Sequence, residues 1–107
     1  MLRRAIAFAG ENPAHVVVLS IPDWGVTPFA GRRDPAAIAA AIDAFNTINR
    51  EESERVGARY VDVAPISREA AHDPSLIADD GLHPSGKMYA EWARLALPAV
   101  RAALAGK

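Results

Sequence analysis

Cysteine is absent from the 107 residues, which rules out disulfides and thiolate chemistry and leaves the redox compartment open. An excess of charge of one sign is lacking too. Twelve Lys and Arg stand against 13 Asp and Glu, a formal net charge of −1 with no basic stripe, so neither nucleic acid nor an anionic membrane surface is implied as a partner. No apolar run approaches the roughly twenty residues of a membrane span. The basic start Met1-Leu-Arg-Arg4 resembles the opening of a secretion signal, but its apolar part gives way at Glu11-Asn12-Pro13 and reads as an amphipathic helix. With no leader visible, location stays open and the cytoplasm is the default. Repeats and low-complexity segments are missing as well.

What is present is apolar and ordered. Half of the residues are hydrophobic, enough to argue against disorder, and the length fits one domain at most. Leu2 to Ala9 carries Leu2, Ala5, Ile6 and Ala9 on one helical face, with Gly10 as a stop. His15 to Ile21 is an almost unbroken apolar, β-branched run, the pattern of a parallel strand covered on both faces. Pro22 to Arg33 follows the C-terminal end of that strand, where open α/β sheets bind ligands, and Asp23, Trp24 and Thr27 are its candidate substrate-binding residues. The plainer reading is a rigid loop made by Pro22 and Pro28 and anchored to the core by Trp24 and Phe29.

Asp34-Pro35 is a helix start, a capping carboxylate before the ring that suits the first helical position. Ile38, Ala41, Ile42, Phe45 and Ile48 then recur at helical spacing and predict the buried face of a crossover helix ending at Gly57. Arg59 to Ala64 predicts a second strand, and the order strand, helix, strand predicts a right-handed parallel unit. An irregular connection, with a helical turn at Ser67 to Ala71, leads to a final helix from Ser85. That helix carries Met88, Trp92 and Leu95 toward the core and should be kinked or interrupted by Pro98.

The chemistry concentrates in Asp80-Gly81-Leu82-His83-Pro84. A carboxylate three residues before an imidazole can accept the proton of one ring nitrogen and leave the other free as a general base. Gly81 permits the turn, and Pro84 holds His83 extended so that its ring projects away from the helix. Asp80 has the required offset and Asp79 does not. A metal site built from His72, Asp79, Asp80 and His83 lacks regular ligand spacing, and no cofactor is implied. His15 and His72 read as structural or solvated.

This block, followed by an aromatic helix, resembles the last sequence block of the SGNH (GDSL) hydrolases, and Val16 to Pro28 and Ala44-Phe45-Asn46 resemble the segments that precede it in a bacterial esterase subgroup. The resemblance implies the C-terminal portion, residues 1–107, of a three-layer α/β/α (flavodoxin-like) serine esterase domain. Here that would be two parallel strands and three helices, acting on a small ester with His83 as general base and Asp80 as its orienting carboxylate. The family's Gly-Asp-Ser nucleophile segment, the oxyanion-hole glycine and the Gly-x-Asn-Asp segment have no counterpart here. Ser20, Ser53, Ser67, Ser75 and Ser85 all lie outside any Gly-flanked elbow. Two strands, the first of interior character, leave an edge without a neighbour. The expectation is a missing N-terminal half in the same polypeptide, or self-association through Val16 to Ser20, with a non-catalytic association module or a gene fragment as the alternative.

Overall fold

The computed structural model describes residues 2–105. Helix α1 (Leu2–Phe8) leads through a 3₁₀ turn at Pro13–His15 into strand β1 (Val17–Leu19). Two further 3₁₀ turns, Trp24–Val26 and Pro28–Ala30, precede the long helix α2 (Pro35–Arg55), which returns to strand β2 (Arg59–Val61). A short helix α3 (Ala64–Ser67), 3₁₀ turns at Arg68–Ala71 and Pro74–Leu76, and helix α4 (Gly86–Leu104) complete the mixed α/β architecture.

The strands pair in parallel, Val17 opposite Arg59 and Leu19 opposite Val61, and flanking bonds from Arg59 N–H to Val16 C=O and from Ser20 N–H to Val61 C=O extend the ladder by one step at each end. Both strands are shorter than the expected His15–Ile21 and Arg59–Ala64. Pro13 starts a 3₁₀ turn that absorbs His15, and beyond Val61 the Ser20 hydroxyl takes over the backbone. It accepts from Val63 N–H at 2.7 Å and Ala64 N–H at 3.1 Å and donates to Asp62 Oδ1 at 2.8 Å. In a parallel ladder the bonding alternates along each strand, so Val17 and Leu19 turn their peptide groups away from β2. Among the described residues nothing accepts from their amides.

Helix α2 starts as predicted, with the Asp34 carboxylate accepting from Ala36 and Ala37 N–H. Its buried face keeps Ile42 from the predicted one but not Phe45 or Ile48. Ile42, Asn46 and Ser53 point inward, while Phe45 and Ile48 are 53% and 61% exposed. The reason is Asn46, whose carboxamide accepts from Ile21 N–H at 2.8 Å and donates to Ile21 C=O at 3.0 Å, fastening the helix to the end of β1 through a polar position. The apolar stripe therefore rims an open groove with Ile21 and Trp24.

Helix α4 runs through Pro98 without the interruption that was one of the two expected effects of that residue. A proline ring forfeits one N–H donor and crowds the preceding turn, and the half-buried and exposed surroundings of this stretch leave room for both. The helical turn expected at Ser67–Ala71 divides into the end of α3 and the 3₁₀ turn behind it. The tightest packing lies under the N-terminal half of α4, where Ala70, Leu76 and Met88 cluster with Val26, Ile66, Ile77 and Trp92 around them. The molecule is flat, 44 × 26 × 18 Å, with a radius of gyration of 15.1 Å against about 13 Å for a compact domain of this length.

Candidate functional site

The residues Asp80 to Pro84 form a loop fixed from within and from both sides. Asp80 Oδ1 accepts from Leu82 N–H and His83 N–H, each at 2.9 Å, which folds the carboxylate back over its own chain. Its other oxygen, Oδ2, meets Nδ1 of the His83 ring. Both oxygens are thus used, one to shape the turn and one to hold the imidazole. Gly81 has φ +74°, a left-handed value that costs glycine nothing. It also lies against Pro28, where an added Cβ would come to 3.4 Å.

Three outside contacts hold this loop. Phe29 N–H donates to Gly81 C=O at 3.0 Å, so the segment leaving β1 grips the middle of the loop. On the other side Ile77 and Pro84 form an antiparallel bridge, with Ala78 N–H to His83 C=O at 2.8 Å and Ser85 N–H to Leu76 C=O at 2.9 Å. Ser85 then caps α4 by accepting from Met88 N–H. The backbone around His83 is fixed, while its side chain is 68% exposed.

The ring contact, followed by the two backbone N–H donors, lowers the Asp80 carboxyl from its ordinary 3.8 to about 2, because each of these bonds favours the charged form. Asp80 therefore stays ionised throughout the neutral range. With Nδ1–H directed at Oδ2, Nε2 carries the free lone pair.

Asp23, Trp24 and Thr27 all line one small cavity of about 40 Å³ that also touches Leu82 and Pro84, the neighbours of His83. Two of the three spend their polar atoms on the fold. Asp23, 4% exposed, caps the 3₁₀ turn through Gly25 N–H at 2.8 Å and pairs with Arg68 Nε at 2.9 Å, while its own N–H donates to Ser67 Oγ. The Thr27 hydroxyl donates to Trp24 C=O at 2.6 Å. Trp24 meets Phe29 edge-on with Arg33 against both rings, yet Phe29 is 54% exposed and so is not the buried anchor expected of it. Arg68, whose guanidinium is held more basic than usual by Asp23 and then Asp43, was not singled out in the sequence. It lies 45 residues from Asp23, and nothing local marks that pairing.

Four of the five serines have structural partners, and the buried Ser53 hydroxyl has none among the described residues. Ser20 and Ser67 are buried and bonded to backbone, Ser53 is fully buried, and Ser75 donates to Asp73 beside Lys87 Nζ. Among the described residues no serine hydroxyl bonds to His83. His15 is exposed next to Asn12, and His72 ends the 3₁₀ turn Arg68–Ala71. Among the described residues no three metal-ligating side chains converge, and no helix is long and apolar enough to cross a membrane.

Comparison with known proteins adds to this geometry. No curated protein and no solved structure matches the chain. Residues 1–91, a span that takes in β1, α2, β2 and the Asp80–His83 loop, match the family model described as GDSL-like Lipase/Acylhydrolase. The α/β order, the parallel pairing and that match agree: this chain is a member of the GDSL-like lipase/acylhydrolase family of hydrolases.

Proposed function

We propose that the chain carries the general-base half of a serine ester hydrolase, with His83 as the base and Asp80 as the carboxylate that orients it. The observation that supports this most directly is the doubly anchored Asp80, which holds Nδ1 of His83 and leaves Nε2 free on an exposed ring. In that role Nε2 takes the proton of a serine hydroxyl as its oxygen attacks the ester carbonyl, and Asp80 stabilises the imidazolium formed. The proton then passes to the departing alkoxide, leaving an acyl-enzyme. A water then attacks the acyl carbonyl and gives its proton to Nε2, which passes it to the departing serine oxygen as the acyl–serine bond breaks and the acid is released. In this reading the serine and the oxyanion donors come from polypeptide outside residues 1–107, as the C-terminal portion of one hydrolase domain requires.

The division of labour can be tested. Each missing oxyanion donor is worth about 3 to 4 kcal/mol, so residues 1–107 alone should turn over short activated esters negligibly and should remain unlabelled by a fluorophosphonate probe. Joined to an upstream segment that supplies Gly-Asp-Ser and Gly-x-Asn-Asp, the chain should become an esterase. His83→Ala should then cost at least about a thousandfold in kcat/KM, and Asp80→Asn the same or less. Stoichiometric labelling of Ser20, Ser67, Ser75 or Ser85 in the present chain would overturn the reading. Because the Asp80 carboxyl is lowered to about 2, the acid limb of the activity profile should not follow protonation of Asp80. Its folded value is depressed, so its contribution to stability is present above the ordinary carboxylate range and is lost as pH falls from 3.8 toward about 2.

A second reading, an association module, draws on the amides of Val17 and Leu19, which have no acceptor among the described residues and offer an edge for another strand.

A further inference from the structure

Of the Asp and Asn residues, only Asp80 is followed by glycine. That pair has a chemistry of its own. Because Gly81 carries no Cβ to obstruct the approach, its nitrogen can attack Cγ of Asp80. An N–Cγ bond forms, a Cγ–O bond breaks, and the oxygen leaves as water with the carboxyl and amide protons, closing a succinimide ring. Water then opens the ring. Addition at Cγ restores aspartate. Addition at the main-chain carbonyl of Asp80 breaks its bond to nitrogen and leaves isoaspartate, with the backbone running through the side-chain carbons. The mass is unchanged, and no cofactor or oxidant is needed.

The folded loop opposes each requirement of that closure. The nucleophile is occupied, because Gly81 N–H donates to Ala78 C=O at 3.0 Å. The carboxylate is turned toward other partners, Oδ1 to the N–H groups of Leu82 and His83, each at 2.9 Å, and Oδ2 to Nδ1 of the His83 ring. The ring contact, and then the two N–H donors, keep that carboxyl ionised, a poor electrophile whose oxygen cannot depart as water until it is protonated. The chain on either side is gripped as well, Gly81 C=O by Phe29 N–H and His83 C=O by Ala78 N–H. Burial contributes little, since the Asp80 side chain is 48% exposed. The hydrogen bonds alone stand between this peptide link and its rearrangement.

We propose that Asp80–Gly81 is a site of spontaneous isoaspartate formation, restrained in the folded chain by the same hydrogen bonds that hold the His83 ring. The restraint and the dyad are then one device. Isoaspartate at this position lengthens the main chain by one carbon and shortens the side group to a bare carboxyl, which withdraws it from Nδ1. A loop that loses its order for long enough loses its dyad permanently. The proposal goes beyond the role of His83 as a base and does not depend on it.

Peptide mapping with electron-transfer fragmentation, which tells the two linkages apart at equal mass, reads the outcome on the whole chain aged at neutral pH. In urea, isoaspartate should accumulate at residue 80 ahead of Asp23, Asp43 and Asp62. The folded chain should form it at least about tenfold more slowly, because closure there waits for the loop to open. His83→Ala, which removes an exposed ring, should speed the reaction severalfold in the folded chain and leave the rate in urea unchanged. Gly81→Ala should slow the reaction in urea, where only the added Cβ matters. Equal rates in the folded chain and in urea, a folded His83→Ala chain that ages no faster than its parent, or isoaspartate spread evenly over the aspartates would overturn the proposal. The comparison with urea needs no substitution, so it stands whatever His83→Ala does to the turn.

Discussion

Beside β2, Tyr60, Asp62 and Arg68 share a pocket of about 140 Å³ with Asp43, Thr47 and Arg50 of α2. Beside β1 the sheet is bordered by Leu2, Ala5 and the strand's own Val17 to Leu19, around a groove of about 340 Å³. The first border is knit by charge. Arg68 bridges Asp23 and Asp43, Arg50 approaches Asp62 at 3.6 Å and lies over the Tyr60 ring, and burial followed by the Asp62 charge pushes the Tyr60 hydroxyl to a higher pKa. Charged side chains are how natural sheets close an edge against further pairing. Among the described residues the second border has no such device, and the peptide groups of Val17 and Leu19 lie there among mostly apolar side chains. One side of the sheet is laced by charge and the other is apolar.

The largest effect should come from changing the open side. The chain should associate, and light scattering across a dilution series should show a size that falls with concentration. Leu19→Lys, which places on β1 the kind of residue that blocks edges elsewhere, should yield the monomer at all concentrations. A wild-type chain that is already a compact monomer, melting cooperatively and binding no apolar dye, would erase the contrast between the two sides. Stability comparisons are best made in the Leu19→Lys background at one protein concentration, because association otherwise shifts the apparent midpoint. There, Arg68→Met should destabilise by about 3 kcal/mol in urea unfolding, since it leaves the buried Asp23 carboxylate without its cation. Ser20→Ala, at the junction of the two strands, should cost about 2 kcal/mol because the buried Val63 N–H loses its acceptor and Ala64 N–H is left with Asp62 Oδ1 alone. Arg50→Ala should cost no more than about 0.5 kcal/mol, the pair with Asp62 being long and exposed. A large loss there would mean that the charged border carries more of the fold than its geometry suggests.

Much of this could be read in advance where the determinants are close in sequence. The Asp80–His83 turn closes over three residues, the Asp34 cap over two or three, and the Ser85 cap over three, so spacing alone carries them. The parallel pairing followed from two apolar runs around one long helix. The inward face of α2 did not, because hydrophobic periodicity assumes that polar residues turn outward. Asn46 turns inward to bond the backbone of Ile21, and Phe45 and Ile48 are displaced to the surface. The Asp23–Arg68 pair and the grip of Phe29 N–H on Gly81 join positions tens of residues apart, and no local pattern announces either. Strand ends were overestimated for a related reason. A β-branched run says where extended chain is comfortable, not where a side-chain hydroxyl such as that of Ser20 will take over from the ladder.

The two-way bond between Asn46 and Ile21 has a consequence for the molecule's clock. A carboxamide that both accepts and donates to one residue's backbone does what the peptide unit of an adjacent strand would do, so Ile21, which lies beyond the last residue of β1, holds its amide proton as though it were inside the sheet. Leu19, which is inside β1, turns its amide away from β2 and has no acceptor for it among the described residues. In deuterium exchange the order of the two should therefore be the reverse of what their secondary structure suggests, with Leu19 exchanging early and Ile21 late. A partner strand arriving along the flank would slow Leu19 and leave Ile21 unchanged, which makes this pair of protons a built-in reporter of when that flank is occupied.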